Sequence, residues 1–158
     1  MNINHKFFEA IKPILNELKQ KIGDGFVVFG SSPLYLLGVL PFDDLGDLND
    51  LDLALEENVR IPEEAKQVTF QGNPDQKLYK LTIDGVEVDM GKIWPGQEDY
   101  FYKLFENPIL VDGFKFANLN ISKEWKEKMI EKYGRQKDKE FLEKIDQFLS
   151  RQPAIKEN

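Results

Sequence analysis

The segment GDLNDLDLAL, residues 46–55, constrains most strongly what this chain can fold into. Its leucines alternate with Asp50 and Asp52, and such alternation predicts a β-strand with two distinct faces. The leucines would anchor the strand in a core, while the two carboxylates would project together, about 7 Å apart at about 3.3 Å per residue. Adjacent like charges repel each other unless a cation neutralises them. A hard divalent cation such as Mg²⁺, which takes oxygen ligands, is the usual solution.

The same segment has to be weighed against two alternatives to a magnesium site. Half-exposed antiparallel strands alternate apolar and polar residues as a matter of course, so a D-x-D pattern alone is typical of a solvated face. A twelve-residue calcium loop starting at Asp47 would need glycine where Asp52 stands, and we therefore exclude it. The choice between a metal site and a solvated face depends on the surrounding sequence.

A second strand carries acids in the same alternating way. In VEVDM, residues 86–90, Glu87 and Asp89 alternate with apolar residues. The preceding Asp84-Gly85 pair predicts a tight hairpin turn into this strand. If the strand lies beside the first, Asp89 or Glu87 completes a cluster of three carboxylates. Such a cluster could hold two metal ions and clamp an in-line displacement at phosphorus.

The sequence upstream contains the parts of a phosphate-binding turn. The apolar strand GFVVF (25–29) runs into Gly30, Ser31 and Ser32, and Pro33 suits the first turn of a following helix. Free backbone N–H groups between a strand and a helix favour an anion. The same residues also fit an ordinary strand–helix turn with a capping serine. The ordered set of strand, Gly-Ser, helix and two acid strands is more specific than any single part.

The remaining patterns predict one domain over residues 1–158, with a core at 25–93 and a C-terminal hairpin and helices at 97–151. We expect an α/β or α+β fold, a mixed β-sheet with helices packed mainly on one side. The further elements expected are an amphipathic helix at 5–22, strands at 66–71 and 77–83, a helix at 98–105, a hairpin around Asp112-Gly113 and two final helices. The aromatic residues of the helix at 98–105 are expected to pack in the core together with Trp94. Of the two final helices, the first is expected to be capped by Ser122 and ended by Gly134. The tail after Pro153 is expected to fray.

Composition limits the functions open to this chain. Its 158 residues, 41% of them hydrophobic, suffice for one hydrophobic core, and no apolar run is long enough to span a membrane. The formal net charge of −7 argues against generic nucleic-acid binding. The absence of cysteine and of a signal-peptide pattern fits a cytoplasmic protein. The only histidine, His5, is expected at the surface, so any chemistry must use carboxylates, lysines, hydroxyls or a metal.

In this order, VVFGSS, NDLDLAL and VEVDM resemble the nucleotidyltransferase superfamily that includes DNA polymerase β. The likeness is greatest to its small bacterial members, the minimal and the antibiotic-modifying nucleotidyltransferases. The resemblance implies a nucleotidyltransferase-like fold and transfer of a nucleotide from ATP or another NTP to an acceptor hydroxyl, with release of pyrophosphate. The acceptor, whether a small molecule, a protein side chain or an RNA end, stays open.

The resemblance also implies roles for particular residues. Asp50, Asp52 and Asp89 would bind Mg²⁺ and act as the catalytic residues, with Asp89 closest to the acceptor and helping to remove its proton. The turn from Gly30 through Ser31 to Ser32 would hold the triphosphate.

The C-terminal part matches more weakly, through an R-x-K-D motif at the start of the last helix. Arg135 and Lys137 could neutralise triphosphate charge there, although a solvated, charged helix start explains them as well. The family often carries a further acid three residues after Asp138, where this chain has Phe141.

A second hypothesis treats the chain as a binding protein. A nucleotidyltransferase-like protein without independent catalysis would bind a protein partner, as antitoxins do, and an acidic chain suits a basic partner. Co-purification with a small basic protein would favour this hypothesis over the enzyme.

Overall fold

The computed structural model describes residues 2–70 and 73–151, apart from the side chain of Asn73. Its helices are α1 (His5–Ile22), α2 (Ser32–Leu36), α3 (Glu98–Lys103), α4 (Leu119–Tyr133) and α5 (Gln136–Arg151), with a 3-10 turn at Leu45–Asp47. Its strands are β1 (Phe26–Phe29), β2 (Leu51–Leu55), β3 (Lys66–Phe70), β4 (Asn73–Ile83), β5 (Val86–Gly91), β6 (Ile109–Val111) and β7 (Phe114–Phe116). The predicted fraying after Pro153 lies outside the described residues.

The seven strands form one mixed sheet in the order β3-β4-β5-β2-β1-β7-β6. The pairs β1–β7 and β2–β5 are parallel, and the other neighbours are antiparallel. The predicted hairpin turns at Asp84-Gly85 and Asp112-Gly113 are both confirmed, and all four turn residues have positive φ. A mixed α/β architecture is therefore established.

Helix α1 has the predicted bounds. Asn4 caps it, because its side chain accepts a hydrogen bond of 3.1 Å from the Phe7 backbone N–H. His5 is exposed, as predicted. The buried residues of the helix recur at helical spacing and belong to the same hydrophobic core as the sheet: Phe7, Phe8, Ile11, Ile14, Leu15 and Leu18.

The sheet is covered on both faces, so the prediction of helices mainly on one side is wrong. Every residue of β1 is buried. Phe26 and Val28 join the core that contains α1, whereas Val27 and Phe29 join a second core with residues of α3 and α4. Because the central strand is apolar in both directions, it needs a cover on each face.

Two local predictions are corrected by the structure. Helix α4 begins at Leu119 because the Asn118 side chain accepts a hydrogen bond of 3.0 Å from the Ile121 backbone N–H. Ser122, the predicted cap, is buried inside the helix. In α3, Tyr102 is 52% exposed rather than part of the core. Among the described residues, none of the helices has the length and apolar character that crossing a membrane requires.

Candidate metal and ligand site

Residues of four neighbouring strands form one row across the sheet, at the point where β1 ends. Phe29 of β1 lies opposite Asp52 of β2, and Asp52 lies opposite Asp89 of β5. Lys80 of β4 continues the row, opposite Asp89. Because directly paired residues point to the same face of a sheet, these polar side chains project together on the face away from α1.

The three predicted acids come together in this row. Asp50, Asp52 and Asp89 each offer a carboxylate oxygen, and these oxygens lie within 4.8 Å of one another. Asp50 stands just before β2, which begins at Leu51 rather than earlier in the segment. Asp50 and Asp52 are half-buried, and Asp89 is buried. A donor set made only of carboxylate oxygens fits a hard divalent cation, and this cluster could therefore hold one.

The three carboxylates of the cluster disfavour one another's charged form. Burial raises the pKa of Asp52 well above its usual range, and the neighbouring Asp50 and Asp89 carboxylates raise it further. Burial raises the pKa of Asp89 to about 6, against the lowering effect of the hydrogen bond from Lys80. A bound cation would remove this unfavourable charge accumulation.

Lys80 is a residue of this row that the sequence analysis missed. Its ammonium donates to Asp89 Oδ1 at 3.1 Å and to Glu87 Oε1 at 2.7 Å. Glu87, the alternative third acid, is thus engaged by Lys80, and the Asp50–Asp52–Asp89 cluster forms without it. Lys80 supplies one positive charge at the edge of the three carboxylates.

Gly30 fits the turn for two reasons. Its φ of +74° is a conformation that side-chain-bearing residues rarely adopt. A Cβ at this position would also overlap the Oδ2 atom of Asp52, so the absent side chain makes room for the carboxylate. Ser31 follows in the N-cap position of α2, and its side chain makes no capping hydrogen bond.

Gly30 and Ser31 line the cleft above the row of acids, whereas Ser32 does not. Ser32 is buried at the first turn of α2, and its Oγ has no hydrogen-bond partner in the described part of the chain. The structure therefore brings the first two predicted turn residues to the site but leaves the Ser32 side chain away from it.

A second charged group faces the acids from helices α4 and α5. Lys126 is buried and lies 3.4 Å from Asp138 Oδ1, and Arg135 contacts Asp138 through two hydrogen bonds of 2.7 and 3.2 Å. Burial lowers the pKa of Lys126, although Asp138 and Asp52 act in the opposite direction. Lys137 also lines the cleft, and the Phe141 ring lies under both lysine ammonium groups. The start of the last helix thus belongs to the site.

The cleft between the row of acids and these helices has a volume of about 150 Å³. Ligand pockets commonly reach roughly 300 to 1,000 Å³, so this cleft could enclose only part of a nucleotide. Trp94 and Trp125 form its aromatic floor, with ring centroids 5.0 Å apart. Trp94 is buried against Phe29 as well, which confirms the prediction of core packing.

Lys126 and Gln76 also line the cleft and were not predicted. Nothing in the sequence distinguishes Lys126 from the other lysines of α4. Gln76 lies at the start of a strand that was predicted to begin only at residue 77. Lys80 could have been found, because the two-residue turn at Asp84-Gly85 fixes which residues of β4 and β5 are paired.

Comparison with known proteins leaves the site to be judged on its own geometry. No protein-family model matches this sequence, and searches of curated proteins and of solved structures find no significant match.

Proposed function

We propose that this protein is a Mg²⁺-dependent nucleotidyltransferase, which moves a nucleoside monophosphate from an NTP to an acceptor hydroxyl. The observation that carries the proposal is the convergence of Asp50, Asp52 and Asp89, whose oxygens lie within 4.8 Å of one another beside the Gly30 turn. Acidic clusters on a protein surface are common, but here basic side chains of two helices face the acids across a cleft. Opposed carboxylates and cations suit a ligand that carries both a metal ion and phosphates.

The three aspartates would hold the metal ion through their carboxylate oxygens. When bound, Mg²⁺ neutralises charge on phosphate oxygens and polarises the phosphorus that is attacked. Asp52 is held in place by its neighbours in the sheet on both sides. A rigid strand position is what such a site needs, because small displacements of a ligand group reduce catalysis strongly.

The cationic side of the cleft would bind the triphosphate. Lys126, Arg135 and Lys137 line this side, and Gly30 and Ser31 line the end of the cleft next to Asp52. Because Asp138 is fully buried and contacts both Lys126 and Arg135, it would hold these two side chains in a fixed orientation. The charge-assisted contacts of these side chains orient the phosphates for attack.

The acceptor would approach from the β5 side, next to Asp89. In the reaction, the acceptor oxygen forms a bond to the α-phosphorus while the bond from that phosphorus to the bridging oxygen breaks. Pyrophosphate takes the electron pair and leaves, and the acceptor proton passes to Asp89 or to water. Lys80 donates a hydrogen bond of 3.1 Å to Oδ1 of Asp89, which would hold this carboxylate in place beside the acceptor.

A labelling experiment tests this function. Purified protein is incubated with cell extract, Mg²⁺ and each NTP in turn, labelled either at the α- or at the γ-phosphate. We expect the α-label, but not the γ-label, to enter one acceptor, and Asp50→Asn and Asp52→Asn to reduce the transfer at least about 100-fold. Transfer that is unchanged in both variants, or transfer of the γ-label instead, would show that the proposal is wrong.

A further inference from the structure

The cleft is small for the ligand that the proposed function requires. Its volume is about 150 Å³, so it encloses only part of a nucleotide. A whole nucleotide can lie between the acids and the cations only if one wall of the cleft moves outward. Three parts of the molecule form the walls: the central strands that carry the acids, helices α4 and α5, and the hairpin of β3 and β4.

The central strands and the two helices are anchored in the rest of the molecule. Asp52 is paired with a neighbouring strand on each side. Met129 of α4 and Ile145 of α5 are buried in hydrophobic cores, and the buried ion pair of Lys126 with Asp138 joins the two helices. Because interiors are closely packed, movement of either wall would break many buried contacts at once.

The end of the hairpin has no comparable anchor. The pairing of β4 with β5 stops at Tyr79, opposite Met90, and β3 is the edge strand of the sheet. The residues beyond this point, 68–70 of β3 and 73–78 of β4, therefore form a two-stranded ribbon that projects past β5, and we call it the outer hairpin. A ribbon of two strands has little stability of its own.

Few buried contacts hold the outer hairpin in place. Its apolar residues Val68, Phe70 and Leu78 are only half-buried, and they belong to none of the hydrophobic cores found in the described part of the chain. Gln76 is buried, and every other described side chain of the outer hairpin is exposed or half-buried. Segments with so few buried apolar contacts open more readily than the core does.

One aromatic contact connects the outer hairpin to the opposite wall. Phe70 packs edge-on against Tyr133 of α4, with ring centroids 6.4 Å apart. Among residues 2–70 and 73–151, no hydrogen bond or ion pair joins β3 to α4 or α5. Because Phe70 also lines the cleft, breaking this contact would widen the cleft on the side of the hairpin.

We infer that the outer hairpin is a gate, which swings away from α4 to admit the nucleotide and then covers it. The contact between Phe70 and Tyr133 is the latch of this gate and slows the entry of the ligand. The inference rests on the proposed function, since it concerns the entry of the same NTP. Hinged segments of this kind exclude water from an active site when they cover a bound substrate.

Distances between pairs of spin labels, measured by pulsed electron paramagnetic resonance, test the movement. The chain has no cysteine, so labels attach only where one is introduced. The test pair is Thr69→Cys with Glu131→Cys, on the outer hairpin and α4, and the control pair is Gln20→Cys with Glu131→Cys, on α1 and α4. All three positions are exposed. The ligand is the Mg²⁺ complex of an ATP analogue whose α- and β-phosphorus atoms are joined by a methylene group.

We expect the saturating analogue to lengthen the distance between the labels at Thr69 and Glu131 by at least about 2 Å. The distance between the labels at Gln20 and Glu131 should stay the same. An unchanged distance in the test pair, or an equal change in both pairs, would overturn the inference, because the hairpin would then not be the wall that moves.

The rate of ligand binding tests the latch. Trp94 and Trp125, the two tryptophans of the chain, both line the cleft, so their fluorescence can report the entry of the analogue in a stopped-flow experiment. We expect Phe70→Ala to raise the association rate constant at least about threefold. Gln67→Ala is the control, since Gln67 is exposed on β3 and does not line the cleft. Equal rate constants for wild type and Phe70→Ala would contradict the latch.

Calorimetric titration with the same analogue and with Mg²⁺-ATP separates failure of the gate from failure of the proposed function. Binding without movement of the outer hairpin would overturn the gate alone. Failure of both nucleotides to bind would reject the proposed function, and the gate with it.

Discussion

At the scale of single residues, the close approach of Gly30 and Asp52 joins the turn to the three-aspartate cluster. We expect Gly30→Ala to displace the Asp52 carboxylate, because the new Cβ would overlap its Oδ2 atom. Gly38→Ala is a matched control, since Gly38 has a similar φ of +78° but nothing within 4 Å of the place that the new methyl group would occupy. Both variants should lose about 1 kcal/mol of stability from backbone strain.

Only Gly30→Ala should also weaken the binding of Mn²⁺, which is used in these experiments in place of Mg²⁺, by about tenfold or more. Thermal unfolding and Mn²⁺ titration of both variants separate the two effects. If Gly38→Ala weakened Mn²⁺ binding as much as Gly30→Ala does, general strain rather than contact with Asp52 would explain the loss.

A second residue-scale feature is Lys80, whose positive charge already lies beside Asp89. We expect Lys80→Gln to bind Mn²⁺ at least about threefold more tightly than the wild type, because the variant removes a positive charge next to a ligand oxygen. Lys66→Gln is the control, since Lys66 lies opposite Lys80 on β3 and is exposed. Weaker Mn²⁺ binding by Lys80→Gln would mean instead that Lys80 orients Asp89 and does not compete with the metal.

At the scale of elements, the strands of the site could be predicted because both carry a period of two. The leucines of β2 and the apolar residues of β5 are buried on the face toward α1, which leaves Asp52 and Asp89 on the other. That β2 and β5 are direct neighbours could not be deduced from their patterns alone. Strand order depends on packing between segments distant in sequence, whereas alternation is local.

The buried ion pair between the two C-terminal helices, in contrast, could not be predicted, because no pattern in the sequence indicates it. Asp138 is fully buried, and its partner Lys126 is only 7% exposed in its side chain. We expect Asp138→Ala to cost about 3 kcal/mol or more, because it leaves a buried ammonium without its carboxylate. Arg135→Gln should cost less than about 1 kcal/mol, since the Arg135 side chain is 40% exposed.

Urea denaturation of both variants measures these costs. A loss below about 1 kcal/mol in Asp138→Ala would show that Lys126 readily reaches water without its partner.

At the scale of the whole molecule, the three-aspartate cluster makes the protein without a bound cation less stable as the pH rises. Asp52 and Asp89 have raised pKa values, so the folded state holds protons that the unfolded state, with a pKa near 3.8, has already released. Stability is therefore highest below that value and is lost as the pH rises through the folded-state pKa, which is about 6 for Asp89. The charged groups around them, Asp50, Glu87, Lys80 and Lys126, set the size of the effect.

We expect Asp52→Asn to melt at a higher temperature than the wild type at pH 7.5 without metal, and the difference to shrink toward pH 4. The neutral amide avoids the repulsion from Asp50 and Asp89, and this advantage disappears when the wild-type carboxyl is protonated. Addition of Mn²⁺ should stabilise the wild type more than the variant. A melting temperature of Asp52→Asn below that of the wild type across the whole pH range would contradict this electrostatic account.

The whole-molecule architecture is also where the sequence-based prediction was least accurate. Helices were predicted mainly on one side of the sheet, but β1 is apolar on both faces, and α1 lies on one face with α3 and α4 on the other. The second cover is what creates the cleft, because α4 and α5 bring Lys126 and Lys137 over the acids.

The central claim, that three aspartates from two neighbouring strands form one divalent-cation site, is tested most directly by electron paramagnetic resonance of bound Mn²⁺. Wild type is compared with Asp50→Asn, Asp52→Asn and Asp89→Asn, and with Asp43→Asn, an exposed acid of the loop before β2. We predict that each cluster variant weakens Mn²⁺ binding about tenfold or more and that Asp43→Asn leaves it unchanged. Equal Mn²⁺ binding by wild type and Asp52→Asn, or an equal loss in Asp43→Asn, would contradict the claim.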